Sequence, residues 1–335
     1  MTLEVIGAGL VSPAGLSSTE HVFFLRAGVT LPARSPFLTA EDRRVPVAYC
    51  PWIGARASVA ERLERMAEAA LAEADPPRPG ADPIALLLCV PPPRPRLTDA
   101  DTSALGDRIA RRLGARAVTR FQGEAGAFAA LGRARSLLSG GAAGAVVLVA
   151  ADSLVSPEAL ADRLARPPSP YAEAPLDPGE GSAALVLVPP ARGRAAGRTP
   201  LGTIDAAATA PGAATDDDDE IVDGAAMTAA LRALPRGAPA RAVFGQARVD
   251  GLRAREWEIA VARSAERLHP EHEVYCLEES TGALGAAAGA MHLAYGLAVL
   301  RHAATREPTA RDAPFYAWAI SRDGTRGIAA ARVPP

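Results

Sequence analysis

Two long apolar segments constrain the fold of this chain most. They read PIALLLCV at 83–90 and GAVVLVAAD at 144–152. Runs of this length without alternating polar residues are typical of strands buried on both faces of a parallel sheet. Successive parallel strands need a crossover, usually a helix, and amphipathic segments such as VAERLERMAEAALAEA at 59–74 supply one. The pattern therefore predicts an α/β protein with mostly parallel strands.

The alternation of strands and helices repeats loosely along the chain. The first series has predicted strands at 3–8, 83–90, 116–121, 144–152 and 179–190 and helices at 18–27, 59–74, 99–113 and 125–138. The second has strands at 201–208, 240–245, 272–277, 315–320 and 326–333 and helices at 224–234, 253–267 and 284–303. This repetition predicts two pseudo-duplicated βα halves, residues 1–190 and 191–335, with a Pro/Gly/Arg crossover at 189–200.

Charge and composition exclude several classes of function. The net charge of −2 over 335 residues argues against a nucleic-acid or membrane-surface partner. No apolar run is long enough for a transmembrane helix, and the N-terminal segment lacks the basic region of a secretory signal. Cys50, Cys89 and Cys276 are too scattered for a disulfide framework or a zinc site, so we expect a reducing cytoplasm. The absence of Lys excludes Schiff-base and P-loop chemistry.

Four segments, taken in order, resemble the β-ketoacyl synthase branch of the thiolase-like superfamily. They are VIGAGLVSPAG (5–15), SPYAEAPLDPGEGSAALVLV (169–188), DGAAMTAALRA (223–233) and STGALGAAAGAMHLAYGLAVLR (280–301). The last is similar, without a gap, to the family's Thr-Gly-His segment and the helix that follows it. The resemblance implies a thiolase-like fold, with two βα halves in alternating α and β layers. It also implies a homodimer, or a heterodimer with a ketosynthase-like subunit.

The same resemblance implies an active site that this sequence does not retain. The family uses a nucleophilic Cys, two His, a Lys that supports the second His, and a Phe in a Gly-Phe-Gly-Gly loop. The Cys position falls on Gln122, Gly123 or Glu124, depending on a one-residue shift, and the other four fall on Phe244, Ala283, Glu278 and Arg322. We therefore predict a pseudo-enzyme with no catalytic residue, no cofactor and no metal.

Three functions follow from this interpretation. The first is a dimeric adaptor or accessory factor, because CPWIGA (50–55) and RAREWEIA (253–260) are similar to thiolase-like proteins associated with type VI secretion effector clusters. The second is a chain-length-factor-like or decarboxylating partner of an active β-ketoacyl synthase, a group in which Gln replaces the Cys; Gln122 fits that pattern loosely. The third is an acyltransferase whose nucleophile has moved, with Cys276 as the candidate.

Other motifs have simpler explanations. The Gly-x-Gly of 5–15 lacks the third glycine and the acidic residue of a dinucleotide site. HPEHE (269–273) has His-x-x-His spacing but is interpreted as a solvated loop. DDDDE (216–220) lacks the spacing of a calcium loop, and Ser182 in GEGSA is structural rather than nucleophilic.

Three further residue groups have competing interpretations. His302 is expected at a helix C-terminus, where its charge suits the helix dipole, and His292 is expected to pack or to lie at an interface. Cys276 is expected to be a small buried group in a strand. The Arg-rich segment RIARRLGAR (108–116) is either a solvated helix face or a docking surface for an acyl carrier protein or another acidic partner.

Overall fold

A computed structural model describes most of the chain. It describes residues 1–28, 36–38, 42, 44–80, 82–165, 176–190, 192–195, 197–214, 222–246, 251–305 and 314–334. The acidic run 216–220 and residues 169–175 of the second resemblance segment lie outside these ranges.

The described residues form ten strands and ten helices. The strands are β1 (Leu3–Val11), β2 (Ile84–Val90), β3 (Ala117–Gln122), β4 (Ala145–Ser153), β5 (Glu180–Val188), β6 (Gly202–Ala210), β7 (Ala240–Phe244), β8 (Leu268–Tyr275), β9 (Phe315–Ile320) and β10 (Arg326–Arg332). The helices are α1 (Ser18–Arg26), α2 (Val59–Ala74), α3 (Asp99–Leu113), α4 (Gly126–Ser139), α5 (Pro157–Ala165), α6 (Arg192–Ala195), α7 (Ala225–Ala233), α8 (Gly251–Ala262), α9 (Glu278–Thr281) and α10 (Ala288–Ala304).

The strands form two five-stranded units with matching topology. The complete order is β3-β2-β4-β5-β1-β6-β10-β9-β7-β8. The second unit therefore has the same strand order as the first when each is read outward from the β1–β6 pair. In each unit the outer three strands are parallel and the inner two run antiparallel to their neighbours. The units meet at a short ladder in which Leu3 pairs with Ile204 and Val5 with Gly202. The predicted α/β class with pseudo-duplicated halves is confirmed. The expectation of mostly parallel strands is wrong, because five of the nine neighbouring strand pairs are antiparallel. The boundary at residue 190 stays a prediction.

Helices separate and cover the two units, which produces five layers. Helices α4 and α10 contact strands of both units and each other, and therefore form the central layer. Helices α2 and α3 cover the outer face of the first unit. Helices α7 and α8 pack together, with α7 on β6 and β10 at the outer face of the second unit. Three large hydrophobic clusters fill the spaces between these layers.

The side-chain period of a strand explains why the apolar runs have no polar face. In β4, Val146 and Leu148 point to the central cluster, while Val147 and Val149 point to the cluster beneath α2 and α3. Successive side chains of a strand point to opposite faces, and both faces of β4 are covered by helices. A sheet buried on both faces selects an apolar residue at every position.

The segment after α8 differs from the prediction. The helix predicted over 253–267 ends at Ala262, and a 3₁₀ turn at Ala265–Arg267 leads directly into β8. The guanidinium of Arg267 donates to the carbonyls of Leu234 and Pro235, contacts that no local pattern encodes. The HPEHE segment predicted as a loop therefore lies in β8, the outermost strand of the second unit.

Two other boundaries also differ. The predicted helix at 284–303 begins at Ala288, because Gly285 adopts a positive φ of 51° in the 3₁₀ turn that precedes it. Helices α5, α6 and α9 have no counterpart in the prediction. No helix among the described residues is long and apolar enough to cross a membrane.

Glycines in β1 allow that strand to touch the backbone of α2. A Cβ on Gly7 would lie 2.0 Å from the carbonyl oxygen of Ala74, and one on Gly9 would lie 2.0 Å from that of Ala70. Real Cβ atoms do not approach this closely, so a side chain at either position forces the helix away from the sheet.

We expect Gly9→Ala to lower the free energy of unfolding by about 3 kcal/mol, because overpacking displaces α2. The matched control is Gly132→Ala in α4, where a Cβ would meet nothing within 4 Å. That variant should gain roughly 0.5–1 kcal/mol because alanine favours the helix. Urea denaturation measures both, and equal stability of the two variants would contradict the close packing of β1 on α2.

Candidate functional site

The turn between β3 and α4 lies where the resemblance places a nucleophile. Gln122 is the last residue of β3, pairs with Val90 and is exposed. Gly123 follows with a positive φ of 76°, and its carbonyl accepts a hydrogen bond from the N–H of Gly126 at the start of α4. Glycine adopts this backbone conformation without steric cost. Of the three candidates, Gly123 and Glu124 both lie in this turn; Gly123 carries no side chain, and Glu124 carries a buried carboxylate.

The space beside Gly123 is occupied by Ser321. A Cβ on Gly123 would lie 2.7 Å from the Ser321 hydroxyl oxygen. That oxygen accepts a hydrogen bond of 2.7 Å from the backbone N–H of Ala125. Ser321 is held in turn by its own N–H, which donates to the carbonyl of Thr325. The β9–β10 turn thus brings Ser321 to this site, while its neighbour Arg322 is exposed.

Phe244 lies at the end of β7 and its side chain packs into the central core. Its ring stacks on Tyr275 with centroids 4.7 Å apart, and it meets Tyr295 and Phe315 edge-on at 5.7 and 5.3 Å. Phe244 is fully buried. The residue in the place of the first histidine therefore contributes to packing, and it has no atom that can transfer a proton.

Ala283 connects the segment before α10 to the first half of the chain. Its N–H donates to the carbonyl of Asp177 at 2.8 Å, and its carbonyl accepts from the N–H of Gly179 at 3.1 Å. Both polar groups of the Ala283 backbone are thus used to join two loops. A methyl side chain stands where the resemblance implies the second histidine.

A buried ion pair joins α9 to α10, and its histidine, His292, lies about one helical turn after the start of α10. Nε2 of His292 is 2.8 Å from Oε2 of Glu278, and Nδ1 of His292 is 3.0 Å from the carbonyl oxygen of Trp318. Both side chains are inaccessible to solvent. Both ring nitrogens face acceptors, so the geometry suits a ring that donates one hydrogen bond to Glu278 and one to the carbonyl of Trp318.

Electrostatics favour the ionised carboxylate in this pair. Burial opposes the charge on Glu278, but the charge and hydrogen bond of His292 and the charge of Arg253 outweigh it. The net effect holds the pKa of Glu278 below its ordinary value of 4.5. Gln246 adds a hydrogen bond, since its Nε2 donates to Oε1 of Glu278 at 3.4 Å and its Oε1 accepts from the N–H of Ile320 at 2.8 Å.

A second ion pair lies between α8 and the turn that joins β3 to α4. Nη2 of Arg253, on α8, lies 3.3 Å from Oε1 of Glu124. The carbonyl of Glu124 also accepts a hydrogen bond from the N–H of Gly289 in α10. We refer to five residues as the buried polar cluster: Glu124, Gln246, Arg253, Glu278 and His292. Its two carboxylates pair with one guanidinium and one imidazole ring.

The chemistry available to this cluster is limited because its groups bond to one another. The most exposed of the five side chains, Glu124, is only 12% accessible. Two surface clefts, of about 420 and 460 Å³, lie elsewhere, between α1, α10 and the β1–β6 junction. Sequence reasoning placed His292 in packing and missed Gln246, Arg253 and Ser321. No motif marks these residues, because they meet only through the tertiary fold.

Cys276, the candidate for a relocated nucleophile, directly follows the last residue of β8. Its Sγ lies 3.9 Å from Oε2 of the buried Glu278. Cys276 is half-buried rather than a core residue within a strand.

The remaining motifs have structural roles. Glu180, in the Gly-Glu-Gly segment, is fully buried, pairs with Arg62 at 2.9 Å and accepts from the N–H of Cys50. The hydroxyl of Ser182 donates to the carbonyl of Ala150. His302, in the last turn of α10, meets the ring of Phe23 edge-on. No group of three potential metal ligands occurs within the described part of the chain.

Comparison with solved structures places this arrangement on a known fold. The chain aligns over 100% of its length with 100% of the ishigamide ketosynthase/chain length factor, at 22% identity and a TM-score of 0.73. It aligns over 100% of its length with 72% of the ketosynthase from module 6 of the bacillaene synthase of Bacillus subtilis 168, at 10% identity and a TM-score of 0.78. A chain from the complex of a type II PKS acyl-carrier protein with its ketosynthase aligns at 16% identity and a TM-score of 0.74, with 99% of each chain covered.

These similarities confirm the predicted fold. The chain adopts the thiolase-like fold of β-ketoacyl synthases, with helices α4 and α10 as its central layer. No protein-family model matches the sequence, and no curated protein matches it.

The buried ion pair makes a testable contribution to stability. A carboxylate with a lowered pKa in the folded state stabilises the fold above its unfolded pKa, and this contribution is lost as the pH falls through the folded value. We expect His292→Leu to lower the free energy of unfolding at pH 7 by about 3–5 kcal/mol, because Glu278 is left buried without its partner.

Glu278→Gln tests the pH dependence. Below the ordinary glutamate value of 4.5, its stability should decline less steeply than that of the unsubstituted protein. Glu258→Gln, at an exposed position of α8, is the control and should retain the original slope. Urea denaturation at a series of pH values measures the free energy of unfolding of the unsubstituted protein, Glu278→Gln and Glu258→Gln. Identical slopes of this free energy against pH in the three proteins would show that the pKa of Glu278 is not lowered.

Proposed function

We propose that this protein is a non-catalytic subunit with a ketosynthase fold, which acts as a dimeric adaptor or accessory factor. The observation that carries the proposal is the turn between β3 and α4. Gly123 has no side chain, and the Ser321 hydroxyl occupies the space in which one would begin, while the carboxylate of Glu124 in the same turn is buried against Arg253.

The chemistry of the surrounding residues supports the same proposal. Acyl condensation and malonyl decarboxylation both need groups that stabilise a developing enolate and move protons. Phe244 and Ala283 have no such groups. Glu278 and His292 pair with each other, and Glu124 pairs with Arg253. None of these charges is free to act on a substrate.

The edge strand β3 is the surface that we propose for dimerisation. It is largely exposed, contains no proline or acidic residue, and presents Val118 with 38% of its surface accessible. The opposite edge, β8, carries Pro270, Glu271 and Glu273, which are typical features of a strand protected against pairing. The family resemblance implies that the strand before the nucleophile turn lies at the subunit interface, which is β3 in this chain.

A second candidate function is that of a chain-length-factor-like partner of an active ketosynthase. Two of the similar structures carry chain length factor in their names, and another is a ketosynthase in complex with an acyl-carrier protein. Arg111, Arg112 and Arg116 are exposed beside β3 and would suit an acidic carrier protein. Arg108 is already paired with Glu64 at 2.5 Å.

The segments that resemble type VI secretion proteins have roles in the fold itself. Cys50 donates its N–H to Glu180, and Trp257 stacks on Trp318 with centroids 4.9 Å apart. These contacts account for both segments without a secretion effector. We therefore keep an effector and a ketosynthase as alternative partners of the proposed subunit, and co-purification distinguishes them. If the protein is a chain length factor, an active ketosynthase co-purifies with it. If it is an adaptor, it is recovered as a homodimer with a bound effector domain.

The non-catalytic assignment predicts that the purified protein decarboxylates a malonyl thioester at the rate of the buffer blank. Gln122→Ala should leave that rate unchanged, because Gln122 is exposed at the end of β3 rather than in the turn. Carbon dioxide release measured by a coupled assay tests both. Turnover well above the blank that disappears in Gln122→Ala would falsify the assignment.

The dimer proposal predicts opposite outcomes for two matched substitutions. Val118→Arg places a charge on β3 and should abolish association, whether the partner is a second copy or a ketosynthase subunit. Val274→Arg places the same charge on β8, where valine is 41% exposed, and should leave association intact. Sedimentation velocity of the protein alone and with the co-purified partner measures the mass, and an assembled Val118→Arg variant would exclude β3 as the interface.

A further inference from the structure

Two surface clefts meet between α1 and α10, far along the helix from the buried polar cluster. The first, of about 420 Å³, has its floor on β1 at Ile6–Ala8 and on the end of α2. The second, of about 460 Å³, runs between α1, α10 and the C-terminal residues Val333 and Pro334. Both volumes lie within the roughly 300–1,000 Å³ typical of small-molecule sites. We call the continuous depression the α1–α10 groove.

Four of the five residues that line both clefts carry side-chain hydrogen-bond donors. The five are Ser18, Thr19, Thr199, Ala298 and Arg301. Within the described residues, the three hydroxyls make no hydrogen bond and Arg301 makes no ion pair. A guanidinium and three hydroxyls that line the same groove form a donor set suited to a carboxylate or a phosphate.

The acidic residues of the groove do not neutralise Arg301. Glu73 accepts from the N–H groups of Leu10 and Ser18, at 2.7 and 2.6 Å. Asp75 is paired with Arg198 at 2.6 Å. Neither carboxylate forms an ion pair with Arg301, so within the described residues its guanidinium is the cation of the groove that lacks an ionic partner; the carboxylate of Glu73 is held by backbone N–H groups and lacks one as well. Partial burial lowers the pKa of the Arg301 guanidinium. An anion bound beside it would relieve this cost of desolvation.

The second cleft adds an apolar surface next to this charge. Val22, Phe23, Pro200, Ala304 and Val333 line it. Phe23 is 60% exposed, the most exposed of the large apolar side chains described. An exposed aromatic ring beside an unpaired guanidinium presents two binding elements, one for an apolar chain and one for an anionic head.

We propose that the α1–α10 groove binds an amphiphilic anion. Its carboxylate or phosphate head contacts Arg301 and the hydroxyls of Ser18, Thr19 and Thr199, and its alkyl chain lies over Phe23 and Ala298 toward Val333. The proposal is independent of the function proposed above, because none of these residues belongs to the turn between β3 and α4 or to the edge of β3.

Isothermal titration calorimetry with octanoate and octyl phosphate tests the head group and the chain together. We expect both to bind, and the stronger of the two identifies the head as a carboxylate or a phosphate. Acetate and inorganic phosphate lack the chain, and 1-octanol lacks the charge. Each should bind at least about tenfold more weakly, since each loses one of the two contacts.

Two variants locate the site. Arg301→Gln should weaken octanoate and octyl phosphate by about tenfold, to the level of 1-octanol, and leave 1-octanol unchanged. Ala298→Leu should weaken all three by filling the groove. The control Arg255→Gln removes an exposed arginine on α8 and should change nothing. The proposal is overturned if the unsubstituted protein binds neither octyl anion, or if Arg301→Gln binds them as tightly as Arg255→Gln does.

Discussion

Close packing of α4 and α10 between two sheets is the constraint on which the rest of the structure depends. A Cβ on Gly289 of α10 would lie 2.8 Å from the carbonyl oxygen of Glu124, and one on Gly327 of β10 would lie 2.4 Å from the ring of Phe128. Helices enclosed on every side tolerate such contacts only through small residues. The packing fixes where each central helix begins, and with it the turn at Gly123 and the turn before Ala288.

The buried polar cluster explains how several charged side chains can lie buried beside the turn between β3 and α4. Isolated charges cannot remain buried, but Glu124 with Arg253 and Glu278 with His292 compensate one another. Such pairs add little net stability, yet loss of one member is severe because the other is left uncompensated. The cluster therefore ties the turn at Glu124, in the first half, to α8, α9 and α10 in the second half.

How far the sequence predicts this structure depends on how local each feature is. Strands such as β4 are predictable because burial of both faces selects an apolar residue at every position. The end of α8 and the start of β8 are not, because Arg267 is positioned by carbonyls more than 30 residues away. The same holds at the candidate site: the sequence shows which residues stand at positions 122–124, but only the tertiary structure shows that Arg253 and Ser321 contact this turn.

The sequence by itself determined the α/β class and the duplication, because the apolar pattern is a property of the linear chain. Only the tertiary structure decided that Ser321 fills the space beside Gly123, that His292 pairs with Glu278, and that Arg301 faces a groove without a counter-ion. These facts concern residues far apart in sequence. Their contacts are set by helix–sheet packing, which no local pattern records.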